Sequence, residues 1–217
     1  MRKHWVYYFG RVLIRILVFP FARWETAGQE NVPERGPVLI VCNHLHIADP
    51  PIVATSIPLK TAIMAKEELF RQRWSRFWVT NFGAFPVRRG GVSREALRDA
   101  ESWLERGISL IMFPEGGRSP DATMQPAMPG AALIAARRGV PILPVGITGS
   151  EKLIPIKWGR RGRVMRVNIG QPFYLPPHEG KLTREDLARM TDYMMRRVAA
   201  LLPPEYRGYY GGDNAAD

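Results

Sequence analysis

His44 and Asp49 stand with four residues between them in the run Asn43-His44-Leu45-His46-Ile47-Ala48-Asp49. That spacing lets a loop fold the carboxylate back onto one imidazole nitrogen. The contact fixes the tautomer and steadies the imidazolium, so the other nitrogen can take a proton from a hydroxyl. His44-x-His46-x2-Asp49 also has the spacing of metal ligands and admits a metal-dependent hydrolase. A metal centre normally takes three or more ligands in defined geometry. The remaining histidines, His4 and His178, lie in no ligand motif. On its own, one His–Asp pair in a loop reads better as a capped turn.

A second run, Phe113-Pro114-Glu115-Gly116-Gly117-Arg118-Ser119, adds complementary chemistry. Gly116 and Gly117 permit close backbone approach to a ligand. Arg118 offers a bidentate fork for phosphate or carboxylate. Glu115 is expected to hold that guanidinium or to accept a substrate hydroxyl. Cys42, the single cysteine, lies two residues before His44. It has the makings of a nucleophile, but in an apolar strand it reads better as a small buried hydrophobe. Ser119 is explained by hydrogen bonding within its turn.

Both runs directly follow short apolar segments rich in β-branched residues, Val38 to Cys42 and Ile108 to Phe113, which read as buried strands. Strand ends entering loops are where α/β folds place reactive groups. Further strands are expected over Thr61–Ala65, Ile142–Ile147 and Val164–Ile169. Helices are expected over Glu67–Asn81, from an N-cap at Ser93 to Gly107, over Gly130–Arg138, and after a capping box at Thr183 and Asp186. Glu25 to Gly36 reads as a linker. The alternation implies an α/β fold: a single domain over residues 25–206 with a mixed β-sheet flanked by helices. The segment 207–217, rich in Gly, Tyr and polar residues, is expected to be a disordered tail.

Residues Trp5 to Phe21 are mostly apolar and aromatic but contain Arg11 and Arg15, four apart on one helical face. An arginine at the centre of a spanning helix costs roughly 2.5–3.5 kcal/mol on insertion scales. The pattern suits an amphipathic helix over residues 1–24 lying in the membrane interface. A helix packed on the domain is the alternative. The net charge of +11, carried mostly by arginine, draws the chain to anionic surfaces. None of the usual nucleic-acid motifs is present, so nucleic acid is not an expected partner. One cysteine excludes a disulfide framework and points to a reducing compartment.

Taken together, His44-x4-Asp49 and Phe113-Pro114-Glu115-Gly116-Gly117-Arg118-Ser119 resemble the phospholipid/glycerol acyltransferase family. Lys66-Glu67-Glu68-Leu69-Phe70 and Gly83-Ala84-Phe85-Pro86-Val87-Arg88-Arg89 resemble its second motif, and Val140-Pro141-Ile142-Leu143-Pro144-Val145 its fourth. The four motifs stand in the family's order across residues 38–150. The resemblance implies an O-acyltransferase of phospholipid biosynthesis with His44 as base and Asp49 as its partner. It implies that Arg89 and Arg118 bind the acceptor phosphate while Glu115, Gly116 and Gly117 shape the acceptor pocket. It further implies an acyl-CoA or acyl carrier protein donor, a lysophospholipid acceptor and no cofactor. The protein would sit peripherally on the membrane phospholipid surface, at the cytoplasmic face of the cell membrane. Gly117 stands where many members have threonine, and Met128 where many have lysine before Pro-Gly.

Overall fold

The computed structural model describes residues 10, 12–16, 22–71, 76, 83–87, 94–153, 164–178 and 180–212. Seven strands form one sheet: β1 (Arg23–Ala27), β2 (Leu39–Cys42), β3 (Thr61–Lys66), β4 (Ala84–Val87), β5 (Ser109–Met112), β6 (Ile142–Thr148) and β7 (Val164–Ile169). Their spatial order is β1-β7-β6-β2-β5-β3-β4. β6, β2, β5, β3 and β4 run parallel, β7 runs antiparallel to β6, and β1 runs parallel to β7. The expected mixed sheet is present. Its central strands are buried on both faces, which is why β2 and β5 read as continuous apolar runs rather than alternating ones.

Among the described residues, four helices with defined bounds pack against the sheet: α1 (Asp49–Ser56), α2 (Arg94–Glu105), α3 (Gly130–Arg138) and α4 (Arg184–Ala199). Alternate side chains of a strand face opposite layers. Leu39 and Val41 of β2 therefore join Ala100, Leu104, Ile134, Met194 and Val198 from α2, α3 and α4. Ile40 and Cys42 join Ile52 and Val53 from α1 and Ile57, the residue that follows it. The expected capping box closes the start of α4: Thr183 Oγ1 accepts from Asp186 N–H at 3.1 Å, and Asp186 Oδ2 accepts from Thr183 N–H at 3.0 Å.

Three expectations change. Arg23–Ala27, at the edge of the expected linker, is a strand paired to β7; its residues are only half-buried or exposed, so no apolar run marks it. Glu67–Phe70 is a 3₁₀ turn rather than the opening of an α-helix. Arg76 is helical, but the rest of that expected helix, like Ser93, lies outside the described residues. The expected disordered tail is ordered from Arg207 to Gly212, because the Tyr210 ring is buried against the domain. Of the N-terminal helix, Gly10 and residues 12–16 are described and helical. No helix among the described residues is long and apolar enough to cross a membrane.

Candidate active site

β2 and β5 are parallel neighbours, so the loops leaving their carboxyl ends emerge side by side. That adjacency brings residues 43–49 against residues 113–119, although the two runs are far apart in sequence. The backbones join directly, since Ser119 N–H donates to the His44 carbonyl at 2.8 Å.

Asn43 anchors the first loop. Its side chain is fully buried and bonds the Ile147 backbone of β6 twice: Nδ2 donates to the carbonyl at 2.9 Å, and Oδ1 accepts the N–H at 2.8 Å. A polar residue ending an apolar strand must find partners when buried, and that rule was the available signal for Asn43. The chain then turns so that Asp49 opens α1. Asp49 is completely buried, and its Oδ2 lies 2.9 Å from His44 Nδ1. The same oxygen accepts N–H bonds from Leu45 at 2.7 Å and His46 at 2.6 Å. A position in the first turn of α1 also favours a negative charge there.

Asp49 accepts, so His44 Nδ1 is assigned the proton from this network, and Nε2 keeps its lone pair. The imidazole packs on Phe113 with ring centroids 4.4 Å apart. The imidazole is thus held from two sides.

Glu115 holds the loop from below. Its Oε1 accepts from His44 N–H at 3.1 Å and its Oε2 from Gln125 N–H at 2.9 Å. Both oxygens serve backbone donors, so the carboxylate positions the loop rather than pairing with Arg118. Burial raises its pKa to about 7, against the lowering effect of those two bonds and with a raising contribution from Asp49 and Asp121. Gly116 has φ +71, and a Cβ there would collide with the Met128 ε-methyl. Gly117 has open space around its missing Cβ, consistent with a position that tolerates a larger residue. Arg118 is exposed. Arg89 lies outside the described residues.

His46 Nδ1 accepts from Ala48 N–H at 3.3 Å, and Asp49 Oδ2 already receives three donors. No cluster of three or more His, Cys, Asp or Glu side chains placed to hold a metal occurs among the described residues. The hydrolase reading therefore lacks a ligand set there. Cys42 is fully buried, and burial, with Asp49 second, pushes its thiol pKa well up. A thiolate nucleophile is disfavoured at that place.

Residues 23–148, from β1 to the end of β6, match the Acyltransferase family. The chain belongs to the acyltransferase family. Within this family it is 27% identical over 174 residues to the 1-acyl-sn-glycerol-3-phosphate acyltransferase of Bacillus subtilis, covering 80% of this chain and 85% of that one. It is 31% identical to the protein of that name from Streptococcus pneumoniae, covering 78% of this chain and 59% of the relative. Against the chloroplastic protein BAT2 of Brassica napus the identity is 28%, covering 80% of this chain and 52% of the relative. The acyltransferase thus spans about half of that plant protein. The crystal structure of the 1-acyl-sn-glycerophosphate acyltransferase PlsC from Thermotoga maritima shares the fold, with a TM-score of 0.67 at 27% identity, covering 90% of this chain and 76% of that one.

Proposed function

We propose that this acyltransferase moves an acyl chain from an acyl thioester, carried on coenzyme A or acyl carrier protein, to the free hydroxyl of 1-acyl-glycerol-3-phosphate, giving phosphatidic acid. The carrying observation is the Asp49 carboxylate on His44 Nδ1, which leaves Nε2 as the nitrogen for proton transfer. Nε2 takes the acceptor hydroxyl proton as the oxygen attacks the thioester carbonyl carbon. The C–S bond breaks, and the thiolate leaves with the proton returned by the imidazolium. Asp49 stabilises that cation without becoming protonated. No enzyme nucleophile and no cofactor is needed. The relatives' names support the acceptor, and the exposed guanidinium of Arg118, with Arg89, supplies charge suited to its phosphate.

Purified protein in detergent, given a labelled acyl thioester and 1-acyl-glycerol-3-phosphate, is expected to form phosphatidic acid, read by mass. His44→Ala abolishes the product and a strong chelator does not. Arg118→Ala raises KM for the acceptor far more than for the thioester. Equal rises for both substrates would remove the phosphate-binding role.

The same reading places the protein peripherally on the cytoplasmic face of the cell membrane. It is supported by Val12 and Ile16, which are 57% and 62% exposed. Deleting residues 2–21 is expected to weaken sedimentation with anionic vesicles. Unchanged sedimentation would sink this membrane role.

A further inference from the structure

The segment after α4 makes contacts that the acyl-transfer chemistry does not itself require. Residues 203–211 cross back over the loop that follows the Phe113–Ser119 turn. Met124 N–H donates to the Tyr206 carbonyl at 2.9 Å, and Tyr209 N–H donates to the Met124 carbonyl at 3.0 Å. Tyr210 Oη accepts from Ala127 N–H at 3.0 Å while its ring is buried. Gly208 has φ +44, and a Cβ there would lie 2.8 Å from Thr123 Oγ1 and would collide with the Met124 carbonyl. Tyr206 Oη donates to Glu151 Oε1 at 2.8 Å, which ties the segment to the turn after β6.

Between the two anchored residues, Met124 and Ala127, lies Gln125. Its backbone N–H is the donor to Glu115 Oε2, and Glu115 Oε1 receives the backbone N–H of His44. These two donors are main-chain groups. Their positions are therefore set by where the backbone is held rather than by the identity of the side chains.

We propose that residues 203–211 are a positioning strap for the active site, acting through Met124 and Ala127 to hold the Gln125 N–H on Glu115, and through Glu115 to hold the His44 loop. Tyr210 is the positioning residue whose hydroxyl can be removed with least damage. This segment lies beyond the residues matched to the family, which end at Thr148. The inference rests on His44 being the base.

The strap has a signature that general stabilisation lacks. Burial dominates the raised pKa of Glu115, and the Gln125 N–H bond opposes it. Asp49 at the start of α1 and Asp121 in the following loop raise it; His44 donates from the loop after β2, and the un-ionised Tyr210 phenol faces it from the strap. Loosening the strap weakens the Gln125 bond and raises the Glu115 pKa further. One lost N–H donor corresponds to a rise of about 0.5–1 pH unit. A protonated Glu115 is a poor acceptor for one of its two N–H donors, so the part of the acid limb of kcat/KM that Glu115 sets moves up.

The test compares the parent with Tyr210→Phe and Gly208→Ala, and uses Tyr174→Phe, an exposed tyrosine outside residues 203–211, as the control. Glu115 titration is followed by infrared difference spectra of its carboxyl stretch, with Glu115→Gln identifying the band. The acid limb of acyl transfer is measured alongside. Both midpoints are expected to rise in Tyr210→Phe and to stay in place in Tyr174→Phe. Should Gly208→Ala fail to fold, Tyr210→Phe decides alone. A carboxyl midpoint that stays in place in Tyr210→Phe overturns the strap, whatever happens to melting temperature or specific activity. The spectra need no substrate. Absence of transfer to 1-acyl-glycerol-3-phosphate would count against the acceptor assignment and leave the strap to be judged by the spectra.

Discussion

Replacing Asp49 by asparagine separates the two tasks of that carboxylate. In the parent, Oδ2 receives three N–H donors, and Oδ1 is buried without a hydrogen-bond partner. The asparagine carbonyl can take the place of Oδ2 and keep the Leu45 and His46 bonds, so the loop survives. Those bonds become neutral and fall to roughly half their strength. The amide nitrogen then occupies the buried Oδ1 position with no acceptor, costing about 1–3 kcal/mol. Losing the buried charge recovers part of this, so the protein stays folded. Catalysis fares worse, because a neutral amide does not offset the imidazolium. General-base catalysis contributes about 10²–10⁴-fold, equivalent to roughly 3–5 kcal/mol. The expectation for Asp49→Asn is a fall in kcat of at least about 100-fold, with a loss of unfolding free energy within about 3 kcal/mol. The assay is kcat at saturating acceptor and thioester, alongside thermal unfolding. Asp49→Ala, which orphans all three donors, is the structural comparison and should be the less stable of the two. A folded Asp49→Asn protein with kcat within about tenfold of the parent would refute the dyad.

The raised pKa of Glu115 makes stability depend on pH. The folded carboxyl, titrating near 7, keeps a proton that the unfolded group, at 4.5, has already lost. This contribution is fully present below pH 4.5 and disappears as pH rises through 7, amounting to about 3 kcal/mol. Glu115→Gln abolishes it, so the parent-minus-variant difference in unfolding free energy should slope downward across that window, and a flat difference would show that burial does not control this group. Gly116→Ala is expected to cost about 1–2 kcal/mol from its left-handed φ alone, and Gly117→Ala within about 0.5 kcal/mol. Urea titration compares them, and equal costs would contradict the backbone reading. Cys42→Ala should keep near-normal turnover, and the intact protein should carry no acyl adduct after incubation with thioester alone. An added acyl mass that disappears with acceptor would replace direct transfer by a covalent relay.

The contact between His44 and Asp49 was legible because it is local, spanning one loop whose length decides whether the groups can meet. The buried strands were legible for a related reason. A strand covered on both faces must be largely apolar, and β2, β5 and β6 are buried along their whole length with Ser109 and Thr148 as their polar members. β1 was not legible, since an edge strand keeps polar and exposed residues and leaves no such run. Glu115 was found in the sequence but given the wrong neighbour. Adjacency in the chain suggested Arg118, whereas the pairing of β2 with β5 delivers the backbone N–H of His44, and the loop beyond delivers that of Gln125.

The terminal segment shows the division most clearly. Gly, Tyr and polar residues after Arg207 carry no periodicity and no apolar run, so the sequence by itself reads as disorder. The tertiary structure supplies a surface that buries the Tyr210 ring, and a loop whose unpaired Met124 and Ala127 backbone groups the segment completes. The sequence by itself determined which groups are suited to the proposed chemistry, because their reactivity is intrinsic and the spacing of His44 and Asp49 is short. Only the tertiary structure decided what holds them. The holding groups are mainly backbone N–H and C=O, present in every residue alike, and their partners are chosen by where the folded chain places them.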